Sequence, residues 1–182
     1  MIQLTKIQPP ALEANLKPVV LSDETMEQRK KKLLDKMNQD NFDCLIIYAD
    51  LEHGSNFEYL TGFVPRFEEA LLVLHKDGKA YLVLGNENLN KADKARLKAE
   101  AVHMPHLSLP NQPMNTQETV EEILSKCGLE NTQKIGLVGW KNFTSAKEDN
   151  YQLFDVPHFL VHAVQSLCPE AKLENATRLF IG

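Results

Sequence analysis

The 182-residue chain contains no apolar run approaching the roughly 18 residues that a membrane-spanning helix needs. Its first residues lack the basic-then-apolar pattern of a secretory signal. Cysteine is scarce. Cys44, Cys127 and Cys168 are odd in number, far apart and without a Cys-x-x-Cys pair, so they read as small apolar residues of a reducing compartment. The cytoplasm is the expected location. Positive charge is also short: the net charge is −5 and the pI about 5.7, and phosphate binding needs a concentrated basic face, so a nucleic-acid surface is not expected. The one basic run, Arg29 to Lys32, shares its segment with Glu24, Glu27 and Asp35 and reads as a solvated helix face. Internal repeats and low-complexity tracts are missing too.

What is present suits one globular domain: 43% hydrophobic and 25% charged residues can build a core inside a polar shell. Residues 1–21, with Pro9, Pro10 and Pro18, read as an extended arm, because proline removes a backbone donor and resists the helix interior. Ser22-Asp23-Glu24 starts a helix that runs to Asp40 with Met26, Leu33 and Met37 on one face. Asp43 to Ala49 is a nearly continuous apolar run, as expected of a central strand buried on both faces. A polar loop, Asp50 to Ser55, leads into the unit Tyr59-Leu-Thr-Gly-Phe63. Two apolar runs, Ala70 to Leu84, are then joined by Asp77-Gly78, a strong hairpin signal.

Further along, Asn88 to Ala99 reads as helix and Glu100 to Met104 as a short strand. Pro105 to Pro113 reads as loop. Asn115 to Glu118 offers a cap for a helix with Val120, Ile123, Leu124 and Cys127 inward, stopped by Gly128. Lys134 to Val138 is another strand. Ser145 to Glu148 can cap a short helical turn, Pro157 to Leu167 is helical, and Leu173 to Ile181 supplies an edge strand and the start of a linker. This order implies an α/β domain with a mixed sheet and helices on its faces.

The Tyr59-Leu-Thr-Gly-Phe63 unit before the hairpin, with the strand Asp43-Cys-Leu-Ile-Ile-Tyr48 upstream, resembles the N-terminal domain of the creatinase/prolidase/aminopeptidase P family. Lys134 to Val138 and Leu173 to Phe180 resemble the family's later strand and the segment before its linker. The resemblance implies a ribonuclease H-like topology over residues 22–182 and a supporting, non-catalytic role. It implies a parent that is a metal-dependent Xaa-Pro peptidase, in which the two divalent metal ions belong to a C-terminal catalytic domain that no stretch of this chain matches. The expected partners are that catalytic domain and a second copy in a homodimer, with the N-terminal domain serving dimerisation and shaping substrate access. By the same resemblance, Tyr59, Phe63, Arg66 and Phe67 are the candidate substrate-access residues. Beside that reading, Tyr59, Leu60 and Phe63 fit core positions, and Glu68 or Glu69 are possible partners for Arg66.

Other constellations carry less. His158 and His162 stand four apart on one helix face, but Phe159 occupies the place of the general-base glutamate in a His-Glu-x-x-His motif. A solvated polar stripe is the expectation. His103 and His106 lack a third ligand, and no catalytic residue, cofactor or metal site is expected in the chain. A nuclease would need converging carboxylates; Asp43, Asp50 and Glu69 are available, yet the strands offer apolar residues. Gly136-Leu-Val-Gly139 is too sparse for a phosphate loop. Trp140, just after a strand, reads first as a packing anchor and second as an interface contact. The rival to the peptidase-domain reading is a stand-alone interaction or small-molecule-binding module without hydrolase activity.

Overall fold

The computed structural model describes residues 4–9, 19–114 and 116–181. Its centre is a six-stranded sheet in the order β4-β3-β2-β1-β5-β6. The strands are β1 Cys44–Ala49, β2 Ala70–His75, β3 Ala80–Leu84, β4 Glu100–His103, β5 Lys134–Val138 and β6 Lys172–Asn175. Only β2 runs against its neighbours; β1, β3, β4, β5 and β6 all point the same way. The mixed α/β sheet expected from the sequence is therefore what forms.

The central strand β1 explains both layers. All six of its residues are buried. Cys44, Ile46 and Tyr48 face one cluster with Leu71, Val83, Ile123, Leu160 and Val164, whereas Leu45, Ile47 and Ala49 face a second with Leu33, Met37, Phe57, Leu60 and Leu72. Helices α3 (Val120–Ser125) and α4 (His158–Leu167) cover the first face. Helices α1 (Asp23–Gln39) and α2 (Ser55–Thr61) cover the second. Period-two alternation along a strand sorts the apolar residues in this way.

Local chemistry sets the boundaries. The Ser22 side chain accepts from the Thr25 amide to start α1, and Thr119 and Glu122 form a capping box on α3. Gly78, at φ 87°, turns the β2–β3 hairpin in the register Leu71↔Val83 and Leu74↔Ala80, as Asp77-Gly78 predicts. Leu72 and Leu74 then pack with Leu33 and Met37 of α1.

Some expectations are corrected. The Tyr59 unit is the end of a helix, α2, closed by Gly62 in the left-handed conformation at φ 77°. Seven residues are too few for periodicity to declare a helix. The segment 88–99 forms only a 3₁₀ turn, Leu89–Lys94, because Arg96 is drawn away: its amide donates to the Thr61 carbonyl and its side chain to Leu21 O and Asp23. Thr119, rather than the 115–118 stretch, caps α3, and Asn115 itself lies outside the described residues. Asp149 caps a 3₁₀ turn at Asn150–Gln152, a few residues beyond the expected turn. After β6 the chain makes another 3₁₀ turn, Thr177–Phe180, and folds back onto α1. There Lys36 Nζ donates to Leu179 O at 3.0 Å and Arg178 pairs with Asp40 at 2.8 Å. Of the expected arm, residues 1–3 and 10–18 lie outside the described residues; residues 4–9 and 19–21 have no regular structure and are exposed.

Candidate functional site at the carboxyl end of the strands

Because β2 runs opposite to its neighbours, the loop after β1, the loop before β2, and the loops after β3 and β5 meet at one end of the sheet. In open α/β sheets this end is where ligands and partners are received. Here it carries two connected groups of side chains.

The first group begins at the end of β1. Tyr48 donates its hydroxyl to Glu69 Oε1 at 2.8 Å. Burial, and then the Glu69 and Asp50 carboxylates, push its phenol far above the ordinary range. Asp50 Oδ1 accepts the amides of Glu52 and His53 at 2.8 and 2.7 Å, an Asx turn that folds the loop back on itself. His53 Nδ1 lies 3.0 Å from both Asp50 oxygens. Burial works against the charged form of Asp50, but the His53 side chain and the two amides outweigh it and hold the carboxyl below its usual range. The His53 ring stacks on Trp140 at a centroid distance of 3.8 Å.

Trp140 is fixed in turn from below. Its amide and that of Lys141 donate to Asp155 Oδ2 at 2.7 and 2.6 Å, and Asn56 Nδ2 donates to Gly139 O at 2.8 Å. Asp155 lies so close over Gly139 that a Cβ at that position would collide with its carboxylate. A Gly139→Ala substitution is accordingly expected to cost about 2 kcal/mol and to release the loop bearing Trp140. Urea unfolding and the Trp140 emission spectrum will check both effects.

The second group precedes β2. Phe67 has a positive φ of 72°, unusual for a bulky residue, and its ring is 65% exposed. The Arg66 guanidinium lies over that ring, 5.0 Å from the centroid. Strain of this kind persists only where the surroundings enforce it. Glu68 does so. It is 4% exposed, and its carboxylate accepts the Glu87 and Asn88 amides at 2.8 and 2.9 Å and Asn88 Nδ2 at 3.3 Å. Pro65 is buried on the other side, and a Cβ on Gly54 would stand 2.9 Å from Val64, so this loop rests against the Asp50–His53 loop.

The sequence offered Glu68 or Glu69 as partners for Arg66. Neither serves: Glu68 is taken by backbone amides and Glu69 by Tyr48. Arg29, Arg96 and Arg178 each hold a hydrogen bond, while Arg66 has no carboxylate partner among the described residues. Tyr59 and Phe63 are placed apart from the exposed tip. Tyr59 packs edge-on against Phe180 beneath the Arg29 guanidinium, and Phe63 packs edge-on against Phe57.

His53 and Trp140 share no sequence signal, since they stand 87 positions apart and the β1–β5 pairing brings their loops together. Trp140 is both anchored and exposed, at 37%. His158 and His162 are exposed, with ring centroids 6.1 Å apart. Among the described residues, no group of three or more His, Cys, Asp or Glu is placed to hold a metal ion, and no helix is long and apolar enough to cross a membrane.

The creatinase/prolidase N-terminal domain pattern matches residues 29–180. The chain belongs to that family. No curated protein matches it. Among solved structures it is similar to an aminopeptidase P (Xaa-Pro aminopeptidase) from Streptococcus thermophilus, with TM-score 0.54 and 15% identity over 85% of this chain and 94% of that one. It is also similar to a proline dipeptidase from Streptococcus pneumoniae, with TM-score 0.57 and 12% identity over 83% and 93% of the two chains. The prolidase from Pyrococcus furiosus aligns with TM-score 0.54 and 15% identity over 82% of this chain, which spans only 36% of the prolidase. At these identities the likeness establishes the fold.

Proposed function

We propose that this domain serves a metal-dependent Xaa-Pro peptidase, shaping access to a catalytic domain that holds the two metal ions and pairing with a second copy in a homodimer. Arg66 and Phe67 form the contact, and Tyr59 and Phe63, packed on Phe180 and Phe57, brace the segment that leads to it. The observation that carries the reading is the Arg66–Phe67 tip: an exposed aromatic ring in a strained conformation, bearing a guanidinium with no carboxylate partner among the described residues. Such a pair suits an apolar ring beside a carboxylate, the chemistry at the end of a proline-containing peptide. The three buried, unbridged cysteines suit the reducing cytoplasm.

The test is kinetic. In the protein that joins this domain to its catalytic partner, Arg66→Ala is expected to lower kcat/KM for Xaa-Pro peptides about tenfold with metal content unchanged. Unaltered kinetics would reduce Arg66 to a surface residue. Residues 1–182 alone are expected to cleave no Xaa-Pro peptide, and measurable cleavage by them would overturn the division of roles.

A further inference from the structure

We infer that Asp50, His53 and Trp140 form a pH-sensitive latch that fastens the loop after β1 to the loop after β5 and so sets how firmly the Arg66–Phe67 tip is held. The latch stands on its own geometry; its regulatory meaning rests on the role proposed for the tip.

His53 joins the two loops. Its Nδ1 faces the Asp50 carboxylate and therefore carries a proton in the neutral ring. Its Nε2 makes no hydrogen bond among the described residues, and the side chain is 32% exposed, so a proton can arrive at Nε2 from solvent without breaking a contact. Once bound, that proton makes the ring an imidazolium placed between a carboxylate and the face of an indole. Both neighbours favour it: the Nδ1–H bond becomes charge-assisted, and the stacking gains a cation–π component.

Asp50 and the exposed Glu52 lie on the same loop. Glu69 stands behind Asp50 through Tyr48. From the β5 side come Lys141, its ammonium 5.7 Å from the indole centroid, and Asp155, which is engaged by the Trp140 and Lys141 amides. Lys141 is the one cation in this set, and Asp50 is the carboxylate in contact with the ring.

The sign follows. The latch is tightest when His53 is charged and Asp50 ionised. It loosens when the ring gives up the proton at Nε2. It loosens again in acid as Asp50, held below its usual range, takes up a proton. The connection to the tip is steric: Gly54, next to His53, has no room for a Cβ against Val64, two residues before Arg66. A loosened Asp50–His53 loop removes the wall against which that segment rests.

The chain contains a single tryptophan, so its fluorescence reports the surroundings of Trp140, of which His53 is the stacked ring. Trp140 emission is expected to fall as pH is lowered from about 8 to about 5, because an imidazolium in contact quenches indole. In the unsubstituted chain, NMR should show the His53 ring protons and the Trp140 indole proton titrating with one midpoint. His53→Gln should abolish the fluorescence titration, and Asp50→Asn, which removes the carboxylate facing Nδ1, should weaken it. Hydrogen exchange at the Val64, Arg66 and Phe67 amides, corrected for the intrinsic rate at each pH, should slow in acid in the parent chain and not in His53→Gln. A flat titration of the unsubstituted chain, a titration that survives in His53→Gln, or tip amides indifferent to His53 would each overturn the latch. None of these readouts uses peptidase activity. Their failure leaves the proposed role of Arg66 standing, and unaltered Arg66→Ala kinetics leave the latch standing.

Discussion

Phe57→Ala is expected to cost about 4 kcal/mol of folding stability, the largest loss from any single truncation near the site. Phe57 is fully buried on the inner face of α2, inside the cluster that includes Leu33, Leu45, Ile47 and Leu60. Its ring meets Phe63 edge-on at 5.3 Å, and its carbonyl accepts the Thr61 hydroxyl at 3.0 Å. A helix of seven residues has little stability of its own, so α2 is held by what it buries. Removing the ring takes away the transfer free energy of a large side chain and leaves a cavity that short helix ends cannot close. The consequence reaches the site, because α2 lies between the Asp50–His53 loop and the Arg66–Phe67 tip. Urea unfolding should show a lower midpoint with an unchanged slope. A loss under about 1 kcal/mol would mean that α2 repacks freely, contrary to this account.

Glu68→Ala comes next, at about 3 kcal/mol. The carboxylate is buried and answered by the Glu87 and Asn88 amides and by Asn88 Nδ2. Truncation orphans these donors inside the protein, each at about 1–3 kcal/mol before relaxation. Glu68→Gln keeps one carbonyl oxygen, and with that oxygen at the Oε2 position it retains the Asn88 contacts. It is expected to cost about a third as much. Thermal unfolding will order the parent, Gln and Ala chains. The Ala chain should also relax the positive φ of Phe67, which appears as faster exchange of the Phe67 and Glu87 amides. Equal stability of Gln and Ala would show that the hydrogen bonds of Glu68 are not what holds the loop.

The sheet was readable from the residues because its signals are local. Asp77-Gly78 can turn a hairpin only where φ is positive, and Gly78 is at 87°; Cys44–Ala49 is apolar at every position because both faces are covered. The helix α2 was hidden by brevity. The helix expected over 88–99 gave way to the 3₁₀ turn Leu89–Lys94 because of Arg96, whose partners Thr61 and Asp23 are far away in sequence. The candidate site was less legible. Arg66 and Phe67 were candidates only through the family resemblance, and the buried anchor Glu68 looks like any surface glutamate until β3 brings residues 87 and 88 beside it. The His53–Trp140 stack has no sequence signal at all, since it depends on β1 and β5 pairing in parallel.

The fold-back of the last turn onto α1 bears on the order in which the domain can assemble during synthesis. The hairpin β2–β3 and its pairing with β1 need only the first half of the chain. The other flank of β1 stays bare until β5 is made, Cys44 awaiting Ile135. Lys36 waits longer for the carbonyl of Leu179, and Asp40 for Arg178. A nascent chain therefore leaves the ribosome with β1, buried at every position in the finished domain, open along one edge until β5 emerges. Slow closure of this kind exposes an unpaired strand edge, which makes the interval between β1 and β5 the period in which the growing polypeptide most needs a chaperone.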